Sequence, residues 1–290
     1  MSAVPAVLPG AACRPVHQEG SRFMPGRIVY VLPLIILLAA CGSAPADAPA
    51  GADSSSAIIQ WNRDPYQVVF RAETVGGENG DSPAALNEVP PCTIYGDGRI
   101  VYTVPSPAGG VPRVLFDLLD DNQIISFGLY LTIDLQLLAY GEGFSAQVPA
   151  STMPVYERLT LAVNGVNHIT DAFAEWPTGY YDIILRACQS IPRTPRQFEP
   201  DGAWLSVARA TYDQNVPTIL WDATAADFSF GALAGLEEKR WIEGGIIRIL
   251  WNALYQNGLN TQFEENGFVY QLALQVPGVT RDAPSAPPAP

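Results

Sequence analysis

Histidine is almost missing from this chain. Of its two, His17 and His168, only His168 lies beyond Cys41. It follows an Asn-Gly turn on an expected strand, where a lone imidazole is a surface or hairpin residue before it is a general base. Neither His-Glu-x-x-His nor Cys-x-x-Cys occurs, so no recognisable zinc site is present. The Gly-x-Ser-x-Gly elbow of serine hydrolases is missing as well. So are the phosphate-cradling Gly-x-x-x-x-Gly-Lys and the dinucleotide-binding Gly-x-Gly-x-x-Gly, and the single lysine, Lys239, sits elsewhere. The chain is therefore expected to carry no cofactor and no metal. Positive charge is scarce too. From Cys41 onward 13 Arg and Lys stand against 28 Asp and Glu, a formal charge of −15. Such a surface repels phosphate backbones, which excludes nucleic acid as an expected partner.

What the chain does have is one long apolar run. Residues 28–40 read IVYVLPLIILLAA, with Arg27 before them and Cys41 after. Positive charge, apolar stretch and small residues come in the order of a secretory signal. The terminal Leu38-Ala39-Ala40-Cys41 resembles the lipobox of bacterial lipoproteins. That resemblance implies cleavage before Cys41, a diacylglyceryl group on its thiol, and attachment to the extracytoplasmic face of a bacterial cell membrane. Each buried lipid methylene contributes about 0.8 kcal/mol, so two or three acyl chains anchor a protein stably. Residues 1–40 are accordingly read as a signal peptide, with Met24 the expected true start. The competing reading is an uncleaved anchor. No charge falls between Ile28 and Ala46, but Pro33, Gly42 and Pro45 make a poor spanning helix.

Beyond Cys41 two cysteines remain, Cys92 and Cys188. In an oxidising space they are expected to pair, closing a loop worth about 4 to 5 kcal/mol in the chain-entropy model. The alternative is two separate buried thiols.

Residues 42–57, GSAPADAPAGADSSSA, form an expected flexible stalk after the lipidated cysteine. The Pro-rich tail 281–290 is expected to be disordered. Between them, residues 58–280 read as an α+β region of antiparallel hairpins with several amphipathic helices. A strand is expected over 66–75. Hairpins are expected at Gly96-Asp97-Gly98, Asn164-Gly165 and Asn266-Gly267. Helices are expected from Asn122 toward Leu138, over 180–190 behind a Thr178 cap, over 225–236 and over 246–257. In the second of these, Tyr181, Ile184, Leu185, Cys188 and Ile191 share a face. Ala203 to Tyr212 reads as a strand. Residues 192–202, PRTPRQFEPDG, are either an internal boundary or a long surface loop. The run TIYGDGR at 93–99 resembles hairpins of bacterial lipoproteins of unassigned function and implies no activity.

Carboxylates are the plentiful chemistry, and glycoside hydrolysis needs only two of them at the right separation. Asp97, Asp134, Glu142, Glu175, Asp182, Asp222 and Glu243 are candidates, and Glu142, between two glycines, is the most suggestive. Asp117, Asp120, Asp121 and Asn122 lack calcium-loop spacing and read as a helix cap and a solvated face. Of six tryptophans, core packing explains most. Trp176 with Tyr180 and Tyr181 is the least core-like group and, with Glu142, the candidate ligand surface. The expected role is a membrane-tethered binding or envelope-assembly module whose partner is a glycan or an envelope protein. The alternative is a carboxylate-based hydrolase of envelope glycans.

Overall fold

The computed structural model describes residues 59–77, 80–107, 109–144, 154–235 and 239–288. The export segment, Cys41 and the stalk lie outside the described residues. The fold is α+β, as expected. Seven strands make a first sheet: β1 (Val68–Gly76), β2 (Cys92–Tyr95), β3 (Arg99–Val104), β4 (Arg113–Leu118), β5 (Val155–Val163), β6 (Val166–Asp171) and β7 (Arg196–Gln197). Their order is β6-β5-β1-β2-β3-β4-β7, antiparallel throughout. A second sheet holds β8 (Gly202–Ala210), β9 (Thr218–Leu220), β10 (Arg240–Glu243), β11 (Gln262–Glu265) and β12 (Phe268–Gln275). Its order is β10-β8-β12-β11-β9, with β9 and β11 parallel. The helices are α1 (Pro83–Leu86), α2 (Asp121–Leu129), α3 (Tyr180–Gln189), α4 (Ala223–Ala226) and α5 (Gly245–Asn257).

The three expected hairpins form. At two of them Asn164-Gly165 and Asn266-Gly267 supply the paired positive φ values that match the right-handed twist of the flanking strands. At the third, Gly96 does something else. A Cβ there would stand 2.1 Å from the Asn62 carbonyl oxygen, so only glycine lets the preceding segment cross this turn.

The middle strands of the first sheet are buried on both faces. Phe70, Ile94, Ile100 and Leu115 share one core with Ile124 and Phe127 of α2 and Ile184 of α3. The alternate residues Tyr95, Val101 and Val114 share a second core with Leu205, Leu272 and Leu274 of the second sheet and Leu250 and Trp251 of α5. Period-two alternation thus sends each strand's side chains into two different cores. Each fully buried Leu, Ile or Phe contributes roughly 1.5–3 kcal/mol. Cys92 of β2 and Cys188 of α3, both fully buried, are joined in a disulfide across 96 residues, which fastens α3 to the sheet it covers. Buried Asn87, just after α1, ties in the second sheet. Its amide donates to the carbonyls of Leu259 (3.0 Å) and Leu272 (2.8 Å), and its oxygen accepts the Leu274 N–H at 2.6 Å.

Several expectations need correction. The helix expected over 225–236 is only α4. Asp222 caps it, accepting the N–H groups of Thr224 and Ala225, but Asp227 turns to φ 49° and ends it. The chain then bends so that the Ser229 hydroxyl and the Gly231 N–H reach the buried Glu265 carboxylate at 2.5 and 2.9 Å. The helix after Asp120 stays α-helical only to Leu129. It loosens into a π turn at Tyr130–Asp134, and a 3-10 turn follows at Leu137–Ala139. The Thr132 hydroxyl accompanies this change, donating to the Gly128 carbonyl at 2.8 Å. Gly179, not Thr178, occupies the N-cap of α3. Strands β4, β9 and β10 lie where no strand was expected. Residues 192–202 carry the chain from the first sheet to the second, and β7 within them pairs with β4. The tail, expected to be disordered, is tethered over its first part. Arg281 donates to the Thr74 carbonyl and the Glu88 carboxylate, and the Ser285 carbonyl accepts from Trp204.

Candidate functional site

The aromatic group chosen from the sequence does come together, but not as an exposed face. Trp176 lies 5.7 Å from the Tyr180 ring and 6.4 Å from Tyr181, nearly parallel to the latter. Its indole N–H donates to the Thr170 hydroxyl at 2.9 Å. Tyr180 and Tyr181 begin α3 on its inward side and are 4% and 6% exposed. The Tyr180 hydroxyl donates to the Leu135 carbonyl at 2.8 Å. Burial first, then neighbouring Tyr140 and Tyr130, push its pKa up to about 12. Tyr180 and Tyr181 are core, and half-buried Trp176 packs against the same cluster. Periodicity already pointed there, since Tyr181 falls on the α3 stripe with Ile184 and Cys188.

The carboxylates Glu157 and Asp182 act on Tyr181 through their charge, and sequence spacing did not connect them. Glu157 of β5 sits on the face of the sheet that α3 covers, and Asp182 lies in the first turn of α3. Burial pushes the Glu157 carboxyl above its ordinary range, and the Asp182 charge adds to the rise. The buried Tyr181 hydroxyl has no hydrogen-bond partner among the described residues. Burial raises its pKa, and the Glu157 charge raises it further. Asp182 was among the carboxylates singled out. Glu157, one of many acidic residues in the sequence, carried no signal, because its partner lies on another element.

Glu142 is exposed, and the glycine after it serves structure. The buried Asp171 carboxylate accepts the backbone N–H groups of Gly143 (3.1 Å), Phe144 (3.0 Å) and Phe173 (2.9 Å). A Cβ on Gly143 would stand 2.3 Å from the Phe173 carbonyl. Phe144 stacks on Tyr156 at 4.7 Å with Phe173 beside them. The remaining acidic candidates mostly have structural partners. Asp97 pairs with Arg99, Asp222 caps α4, and Glu243 accepts from Trp241. Asp120 caps α2 in a reciprocal box with Gln123, and Asp121 is gripped by Arg63 at 2.6 and 2.8 Å. No group of three metal-ligating side chains occurs among the described residues.

A separate cleft of about 720 Å³ runs beside β1 and α1, with Glu73, Thr103, Tyr255 and Arg281 in its walls. Val89, Pro90, Pro91, Val155 and Leu259 give it an apolar lining. Its carboxylates are already in ion pairs, Glu73 with Arg158 at 2.8 Å and Glu88 with Arg281 at 2.6 Å. The Tyr255 hydroxyl, its pKa raised chiefly by burial, donates to the Asn87 carbonyl at 2.7 Å. An apolar cleft with a few fixed polar groups suits binding. Comparisons with family models, with curated proteins and with solved structures find no match for the chain. No helix among the described residues is long and apolar enough to cross a membrane.

Proposed function

We propose that this chain is an exported lipoprotein, tethered to the extracytoplasmic face of a bacterial membrane through Cys41, that works as a binding or envelope-assembly module. The order Arg27, apolar run, Leu38-Ala39-Ala40-Cys41 carries the reading. The buried Cys92–Cys188 disulfide supports it, because such bridges persist in oxidising compartments. The cleft beside β1 and α1 is where a small ligand or an extended segment of an envelope partner would sit. Labelling cells with an alkyne fatty acid tests the anchor. The full chain should take up label and stay with membranes, and Cys41→Ser should lose both. A Cys41→Ser chain that remained in the membrane at unchanged size would sink the reading.

A second reading, hydrolysis of envelope glycans, is favoured by one observation, the half-buried Glu157, whose carboxyl burial and then the Asp182 charge raise above its ordinary range. A carboxyl with a raised pKa is suited to donate a proton to a leaving group. Incubating the full chain with peptidoglycan and following released reducing ends tests it. Release abolished by both Glu157→Gln and Asp182→Asn would support the enzyme, and release unaffected by either would remove this site from consideration.

A further inference from the structure

Three side chains lie in a row on the outer face of the second sheet. Gln275 of β12 stands opposite Trp204 of β8, and Trp204 stands opposite Trp241 of β10. Directly paired residues project to the same side. Their strand neighbours Leu274, Leu205 and Ile242 project to the other side, into the core.

This row holds the end of the chain. The Gln275 amide donates to the carbonyls of Arg281 and Asp282, each at 3.1 Å. The Trp204 indole N–H donates to the carbonyl of Ser285 at 2.8 Å. The other side of Gln275 is fixed by the ammonium of Lys239 at 2.5 Å. Trp241 meets Trp204 edge-on at 5.4 Å, and its own N–H is held by Glu243 at 2.5 Å. Gly202 makes room for the Trp241 ring, which a Cβ would approach to 2.3 Å.

Residues 283–288 read APSAPP. Proline has no N–H and cannot be held by strand pairing. Proline-rich chain is instead gripped through its carbonyls and packed on aromatic side chains. The three bonds here follow that chemistry. Each runs from a side-chain donor to a main-chain carbonyl and makes no demand on the tail's own side chains: the two from Gln275 hold the turn at Arg281 and Asp282, where Asp282 stands at φ 48°, and the one from Trp204 holds the run beyond it at Ser285.

We propose that the Trp204–Trp241 pair, beside the turn that Gln275 holds, is a docking surface for extended Ala/Pro-rich peptide, occupied in cis by the chain's own residues 283–288. A partner bearing such a segment binds by displacing the tail. The surface is independent of the export reading and stands whether or not Cys41 is lipidated.

The test compares the full chain with a variant in which residues 283–290 become an eight-residue Gly/Ser segment, leaving Arg281 and Asp282 in place. The probe is fluorescently labelled RDAPSAPPAP, followed by anisotropy. The Gly/Ser variant should bind it saturably and at least tenfold more tightly than the native chain, whose tail competes. Adding Trp204→Phe, which keeps a ring but loses the N–H, should weaken that binding at least fivefold. Absence of saturable binding to the Gly/Ser variant, equal binding by the two chains, or indifference to Trp204→Phe overturns the proposal. Should the Gly/Ser variant not fold, Trp204→Phe in the native chain serves instead. With the tail released from Trp204, a spin label attached at Ser285→Cys should gain mobility over the same label on the chain that keeps Trp204, and unchanged mobility overturns the proposal.

Discussion

Cys92 and Cys188, 96 residues apart and both fully buried, are one covalent unit that clamps α3 onto β2. A closed loop of this length is worth up to about 4.7 kcal/mol through the unfolded state. Replacing both cysteines with alanine should lower the urea midpoint by several molar tenths at least and reduce stability by about 2–5 kcal/mol. Because both sulfurs are shielded, mild reductant without denaturant should leave the bridge intact. An unchanged midpoint in the double variant would contradict this account of the clamp.

Asn87 joins the α1 segment to β12 through three side-chain hydrogen bonds, one of them to the Leu274 N–H. Asn87→Ala strands those buried groups, each costing roughly 1–3 kcal/mol when left unpaired. A loss of about 2–4 kcal/mol is expected by chemical denaturation, among the largest for a single polar residue here. A loss below about 0.5 kcal/mol would mean that water or a local shift replaces the amide.

Gly143→Ala and Asp171→Ala should disturb the same loop from opposite sides. The first forces a Cβ against the Phe173 carbonyl, and the second orphans the N–H groups of Gly143, Phe144 and Phe173. Hydrogen exchange at Phe144 and Phe173 should speed up in both variants, with each stability loss on the order of 2 kcal/mol. Exchange unaltered in Asp171→Ala would show that the carboxylate does not hold the loop.

Two carboxyls should give stability opposite dependences on pH. Burial pushes the Asp117 carboxyl up, but the N–H groups of Thr194, Leu118 and Arg193 and the Thr194 hydroxyl outweigh it and leave its pKa below the usual range. A folded pKa below the unfolded one stabilises above the unfolded value of about 3.9 and loses that stabilisation as pH falls toward the folded pKa. Asp117→Asn should therefore flatten the acid side of the stability profile. Glu157 is displaced upward, so its folded state is penalised once pH rises through the unfolded value of about 4.3. Glu157→Gln should raise the melting temperature at pH 7 and leave it unchanged at pH 3.5. A melting temperature that falls at pH 7 would mean that the ionised carboxylate makes a favourable contact.

Local signals carried most of what was legible in the sequence. Asn164-Gly165 and Asn266-Gly267 announce their hairpins because two consecutive positive φ values need those residues whatever surrounds them. The Asp120 cap of α2 is equally local, whereas the face of α5 is not: it buries Ile247, Leu250, Trp251 and Leu254 and leaves Ile249 exposed. Strand β10, Arg-Trp-Ile-Glu, is four residues held by its register with β8, and β9 is a parallel partner of β11. Neither carries a turn or an alternation of its own. The stretch after α4 has helical composition, yet Glu265, 34 residues from Gly231, pulls it into a turn. The site was harder still. Glu157 comes under the charge of Asp182, and Gln275 lines up with Trp204, only through placements that the fold creates. Trp176 looked exposed because Pro177 breaks the pattern on which Tyr180 and Tyr181 turn inward.

The proposed lipidation makes Cys41 the N-terminus of the mature chain. Expression of the full chain in a bacterial host, detergent extraction of its membranes and intact-mass measurement test it most directly. A chain beginning at Cys41 and carrying added diacylglyceryl mass is the predicted result. A chain recovered from the soluble fraction with residues before Cys41 still attached and no lipid mass would contradict the account.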